Sequence, residues 1–315
     1  MQVLRLSEIA MKTVLSIALC LFGIAAPAAG DIRVLNSDAH YPEGPVWYQG
    51  KLYYVEYDRN AVMTWDGAKN AVFAAEKGCG QSAVIPDGHG GFLTTCYDNG
   101  TIGRMSATGQ VLPAIMTDKD GNRFLGPNDF APDRHGGIYF TDSGSHGTDV
   151  NGSGKDGKVF YIGPDGTVTL EAKDVHNANG IAVSNDGKLL YVVETNEYRL
   201  IMFDIGANGA LSNRRLFVNL DDLTGHVVHI YPDGVKIDAH GAIYIGQSPR
   251  DEHPPLAGVI FVVDASGKLE RKLTLPSLQV PNFAFSPDQK TLYVTAVDQI
   301  DKSPYLGKVY ALRLH

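Results

Sequence analysis

The sequence predicts an all-β protein, a six-bladed β-propeller of four-stranded blades whose ring is closed by the mature N-terminal strand. Three observations predict it. A unit recurs six times along the 315 residues, the composition is rich in Gly (35) and Tyr (15), and no helix-length amphipathic stretch follows residue 30. Such a composition suits short strands joined by tight turns.

Each unit opens with a residue that is polar in five of six copies, often followed by Gly. Three residues with apolar ends come next, then a turn rich in Asp and Gly, then a strand containing Tyr or Phe. The openers are Glu43, Gln81, Asn128, Asn179, Asp233 and Pro281, spaced by 38, 47, 51, 54 and 48 residues. Each copy reads as a β-hairpin. Further strands follow most hairpins, as at 158–162 then 167–170, 200–205 then 215–218, and 259–263 then 268–275. Gly-containing turns such as Pro164-Asp165-Gly166 separate them. Four strands per unit is the content of a propeller blade. The last unit lacks a fourth strand after 308–314, and an orphan strand at 32–35 precedes the first hairpin. Pairing the two closes the ring and protects both edges. A parallel β-helix, the main alternative, uses shorter and more regular repeats.

Residues 1–29 read as a signal peptide ahead of one domain at 30–315. Arg5 and Lys12 precede an apolar run from Val14 to Ala26, and Ala26-Pro27-Ala28-Ala29 resembles a cleavage site. The run is shorter than the roughly 20 apolar residues of a membrane span. A periplasmic or secreted protein is expected, with no membrane partner after cleavage. Removing this segment takes away two basic residues and one acidic residue, moving the formal charge from −8 to −9. With no basic tract, nucleic acid is excluded as a partner. The mature chain keeps Cys79 and Cys96. Cys79 lies just before an opener and Cys96 ends the paired strand of the same hairpin, so export permits a disulfide there, with free thiols as the alternative.

In a propeller the first strand of each blade lines the central channel, so the six openers converge on one axis. Two carboxylates with neutral amide oxygens suit a hard divalent cation, Ca²⁺ above all, with Zn²⁺, Mn²⁺ or Mg²⁺ as alternatives. Asn or Asp before Gly is also common turn punctuation, so Asn179-Gly180 or Asp233-Gly234 alone carries little. Glu43-Gly44-Pro45 is harder to read as a turn, because Glu is not a turn former. The shared register of the openers carries the argument.

At these residues the sequence resembles the senescence-marker-protein (regucalcin), gluconolactonase and luciferin-regenerating-enzyme family. The matching motifs are YPEGPVW from Tyr41, GPND from Gly126 with GGIYFTD downstream, NGIAVSNDGKLLYVVET from Asn179, and PDGVKIDAHGAIYIG from Pro232. The resemblance covers roughly residues 38–315. It implies a six-bladed propeller and one divalent metal on Glu43, Asn179 and Asp233. Asn128 then contacts substrate or completes the metal shell, as in the similar diisopropyl fluorophosphatases. The Arg-x-Asn pattern of the family's sugar lactonases is absent, since Gly126-Pro127-Asn128 stands in its place and the preceding arginine is Arg123. That departure puts an aldonolactone substrate in doubt.

The expected activity is metal-dependent hydrolysis of a lactone by a monomer acting on a small molecule. The metal polarises the carbonyl, and Asp233 is the catalytic base or nucleophile. His146 and His229 are possible substrate-binding residues. His176, His226 and His253 also fall in loops of the expected ligand face. Asp142, at a strand end, reads as a turn residue. No G-x-S-x-G elbow is present, which disfavours serine esterase chemistry. The competing readings are a phosphotriesterase on the same metal site and a non-catalytic, calcium-stabilised binding propeller.

Overall fold

The structure, a computed structural model, describes residues 32–144, 156–225, 229–247 and 258–315. The expected signal peptide, His146, His226 and His253 lie outside these residues. Strand β1 spans Ile32–His40. Strands β2–β5 occupy Pro42–Tyr48, Lys51–Glu56, Ala61–Trp65 and Asn70–Ala75. Strands β6–β9 occupy Gln81–Pro86, Phe92–Cys96, Thr101–Met105 and Val111–Ile115. Strands β10–β13 occupy Pro127–Pro132, Ile138–Asp142, Lys158–Ile162 and Val168–Ala172. Strands β14–β17 follow at Ala178–Val183, Leu189–Glu194, Arg199–Ile205 and Leu211–Asn219, ahead of a five-residue helix, α1, at Leu220–Thr224. Strands β18–β21 occupy Pro232–Ile237, Ile243–Gln247, Gly258–Val263 and Leu269–Leu275. The chain ends with β22–β24 at Gln279–Phe285, Thr291–Val297 and Leu306–Arg313.

Strands β2–β5, β6–β9, β10–β13 and β14–β17 each form an antiparallel four-stranded sheet. Strands β18–β21 form a fifth unit, and a single bridge between Gln247 and Val280 joins it to the last. That last unit is completed by β1, which pairs antiparallel with β24 from Ile32↔Leu312 to His40↔Leu306. The N-terminal strand therefore supplies the missing fourth strand. It runs further than the expected 32–35, because register shifts flanking Asn36 absorb the polar Asn36-Ser37-Asp38 stretch.

Apolar side chains on each sheet need a facing partner, and the packing shows where they find it. Buried clusters fill every junction between consecutive units. One joins Tyr191 and Leu200 to Val235 and Phe261. Others join Tyr244 to Phe283, Ile102 to Phe140, Tyr139 to Leu190, and Val62 to Phe92. The cluster of Leu52, Tyr54 and Trp65 with Tyr293 and Val309 joins the first unit to the last. The cores thus form a closed cycle, consistent with a β-propeller. The inner strands β2, β6, β10, β14, β18 and β22 also contact one another in cyclic order.

The hairpin turns are fixed by aspartates. Asp87 accepts from the N–H groups of His89 and Gly91, Asp133 from those of His135 and Gly137, and Asp238 from those of His240 and Ala242. A carboxylate that bonds the backbone two and four residues ahead closes a turn locally, so these turns hold the inner strands in register. Among the described residues no helix is long and apolar enough to cross a membrane.

Candidate metal centre

Every inner strand breaks register at its opener. Between Glu43 and Val46 the strand β2 advances one residue more than its partner β3. The same one-residue excess occurs at Gln81/Ala83, Pro127/Phe130, Ala178/Ile181, Pro232/Val235 and Gln279/Asn282. An extra residue in one strand bends it and re-aims a side chain. Six such bulges recur at the openers of a closed cycle of inner strands. Asn179-Gly180 and Asp233-Gly234 therefore lie within strands, and turn punctuation does not explain them.

The glycines after the openers permit close approach. A Cβ on Gly180 would lie 2.2 Å from the Asp233 carbonyl oxygen and 2.6 Å from the Val235 nitrogen. Gly44 has φ +41°, and a Cβ there would lie 2.2 Å from the Ala83 Cα. Neighbouring inner strands are consequently drawn together at the openers, which narrows the channel there.

Hydroxyl groups of one unit hold the opener backbone of the next. Thr95 donates to the Asn128 carbonyl at 2.9 Å and Thr141 to the Asn179 carbonyl at 2.6 Å. Thr195 donates at 2.8 Å to the carbonyl of Pro232, next to Asp233. Asp142, fully buried, accepts from the N–H groups of Leu125, Gly126 and Gly144 at 2.8, 2.8 and 3.0 Å. Its strand-end role is thus to brace the segment that carries Asn128.

Glu43, Asn179 and Asp233 are each 8% exposed, and Asn128 is half-buried. Burial, and then the Asp233 carboxylate, push the Glu43 carboxyl well above the usual carboxylate range. The Gly44 N–H opposes the rise, Asp129 adds to it and Lys236 offsets it. Glu43 and Asp233 are therefore brought into electrostatic contact across the channel. Gln81, at the same level, has a buried Oε1 without a hydrogen-bond partner. A donor set of two carboxylates and amide oxygens, with an orphaned amide oxygen beside them, fits a hard divalent cation. Pro281, the sixth opener, offers no side-chain donor.

Three residues of this region escaped sequence reasoning. Asp129 accepts from Lys236 Nζ at 2.8 Å and from Asn282 Nδ2 at 3.2 Å, forming a polar layer one to three residues beyond the openers. The available signal was Lys236 itself, which stands where the other copies carry Val46, Val84, Ala131, Ala182 and Ala284. Tyrosines also escaped notice. Tyr41, two residues before Glu43, packs against Tyr57 and Tyr305 with ring centroids 5.7 and 6.0 Å apart.

His229 stacks on Tyr198, with centroids 4.4 Å apart, and its Nδ1 lies 2.8 Å from Asp221 Oδ2. Tyr231, which also packs on Tyr198, stands two residues before Asp233. His176 pairs with Glu197. Arg123 is exposed, and its backbone forms an isolated antiparallel bridge with Thr117. Cys79 and Cys96 form the disulfide, with Cα atoms 4.4 Å apart. Glu76 adjoins both sulfurs, but their bonding to each other leaves no thiolate for a metal there.

Comparison with known proteins agrees with this architecture. The sequence profile of the SMP-30/Gluconolactonase/LRE-like region matches residues 41–298. The pentonolactonase XacC of Haloferax volcanii is 28% identical over 271 residues, 84% of each chain. The gluconolactonase of Zymomonas mobilis is 25% identical over 84% of this chain and 78% of its own. Among solved structures, the calcium-binding regucalcin of Agrobacterium tumefaciens superposes with a TM-score of 0.70 at 21% identity, covering 89% of this chain and 92% of that one. The profile spans most of the chain, and the chain belongs to the SMP-30/gluconolactonase/LRE-like family of lactonase-type hydrolases.

Proposed function

We propose that this protein is a six-bladed propeller that opens lactone rings with the help of one divalent cation, calcium being the best match to its donors. Glu43, Asn179 and Asp233 would hold the cation, with Asn128 beside it. The observation that carries the reading is the bulge at each opener together with the electrostatic contact between the Glu43 and Asp233 carboxylates. The lactonases among its relatives lend independent support.

Bound there, the cation supplies Lewis-acid polarisation of the ester carbonyl and positive charge for the developing oxyanion. The residues do the rest. Asp233 removes a proton from the attacking water, or attacks the carbonyl carbon itself. In the first route the water oxygen bonds the carbonyl carbon, the ring acyl C–O bond breaks, and the proton held by Asp233 passes to the departing alkoxide, releasing a hydroxy acid. In the second the ring opens to an acyl–Asp233 anhydride, which a water then hydrolyses to the same hydroxy acid and free Asp233. The Asn128 amide orients the substrate, its backbone fixed by the Thr95 hydroxyl. Single-turnover hydrolysis in ¹⁸O-water separates the two roles of Asp233. Label incorporated into Asp233, or an acyl-protein adduct trapped on quenching, indicates nucleophilic attack; label in the product with neither indicates base catalysis.

The test is a panel of aldonolactones, alkyl lactones and phosphotriesters, assayed with and without chelator. Chelator-sensitive lactone hydrolysis that Asp233→Asn abolishes in a folded protein supports the reading. Turnover of phosphotriesters alone refutes the lactone assignment. A stabilising cation with no turnover on any substrate refutes catalysis.

A further inference from the structure

The central channel has a second half that the metal centre does not use. A cavity of about 550 Å³ occupies it, walled by Trp47, Tyr48, Ile85, Phe130, Ile181 and Phe285. None of Glu43, Asn128, Asn179 or Asp233 lines this cavity. Its lining begins one residue beyond the openers, at Gly44, and runs to the hairpin-turn end, at Gly88. It therefore lies on the opposite side of the narrow opener level from the expected substrate face.

Only two charged side chains line it, Asp129 and Lys236. Asp129 is engaged by three donors, Oδ1 accepting from the Phe130 N–H at 2.8 Å and Oδ2 from Lys236 and Asn282. The Lys236 ammonium has three donors and donates one, to Asp129, among the described hydrogen bonds, while its side chain stays 22% exposed. An apolar pocket of this size with one convergent donor is the usual form of a small-molecule site.

The charges select the guest. Asp129 already neutralises Lys236, so an incoming carboxylate would leave an uncompensated negative charge in an apolar cavity, and repulsion and desolvation oppose it. An uncharged carbonyl oxygen can accept from Lys236 without that cost. From Asp129 to the end of its strand at Pro132 is three residue steps, about 10 Å, which fits an elongated aliphatic chain.

We propose that the far half of the channel is a second ligand site, taking an uncharged, elongated apolar molecule that ends in a carbonyl oxygen held by Lys236. This assignment is independent of the lactonase reading. The probes are 2-decanone and decanoate. Trp47 lines the cavity and Trp65 is the only other tryptophan, so Trp65→Phe makes the emission report on the cavity alone. Titrated into this protein, 2-decanone should give a saturable change in emission, with or without calcium, and decanoate should bind at least tenfold more weakly. Lys236→Met should weaken ketone binding at least fivefold. If that variant fails to fold because Asp129 is left buried without its partner, the Lys236→Met/Asp129→Asn double variant should show the same loss. The assignment is overturned by no saturable change with the ketone, by decanoate binding as tightly, or by undiminished ketone binding in the double variant.

Discussion

Thr141→Val isolates the hydroxyl clamp on the metal centre. The Thr141 side chain is fully buried, donates at 2.6 Å to the Asn179 carbonyl and accepts at 3.1 Å from the Asp129 N–H. Valine keeps the volume and removes both bonds. Leaving buried polar groups unpartnered costs about 1–3 kcal/mol, which for a domain of this size lowers Tm by about 2–5 °C. Releasing the Asn179 backbone also frees its amide to drift, and loss of such an outer partner weakens metal binding about tenfold. Thr169→Val is the matched control. That hydroxyl is half-buried, bonds Glu171 and sits in an outer strand, so its removal should stay within about 0.5 kcal/mol. Scanning calorimetry with EDTA and calorimetric calcium titration read the two effects separately. A Thr141→Val protein with native Tm and native calcium affinity would refute the clamp.

Other predictions follow from the same residues. Because the folded-state pKa of Glu43 lies above its unfolded value, the metal-free protein keeps this contribution to stability at acid pH. It loses it as pH rises through the raised pKa; Glu43→Gln should flatten that slope in a chelated Tm-against-pH series. Gly180→Ala places a methyl group 2.2 Å from the Asp233 carbonyl oxygen, so it should cost more than about 3 kcal/mol in denaturant titration and abolish calcium binding. Reduction of the Cys79–Cys96 bridge, which spans 17 residues, should lower unfolding free energy by about 3 kcal/mol when denaturation is repeated with reductant.

The openers were legible because repeat register is a one-dimensional signal. Apolar triplets and Asp-Gly turns align the six copies, and Glu43, Asn179 and Asp233 fall in one slot. The missing fourth strand was equally readable from the two ends of the chain. The bulges that aim the openers were not legible, since an extra residue in an inner strand leaves no composition mark beyond glycines such as Gly44 and Gly180. Nor were the clamps. Thr95, Thr141 and Thr195 look like ordinary strand formers, and their partners lie in the next blade. The polar layer depends on still longer range, with Asn282 reaching Asp129 across 153 residues. The one available signal, Lys236 as a cation in an apolar slot, went unread. Histidines were the least informative, because His229 in its stack on Tyr198 looks, in sequence, like any loop histidine.

The cation centre at the opener level is tested most directly by titrating calcium calorimetrically into purified, chelator-stripped protein, native and Glu43→Gln. One site per chain in the native protein, with affinity lost in Glu43→Gln while its fold persists, is the predicted result. Native stoichiometry and affinity in Glu43→Gln would contradict the assignment, because the cation would then bind elsewhere.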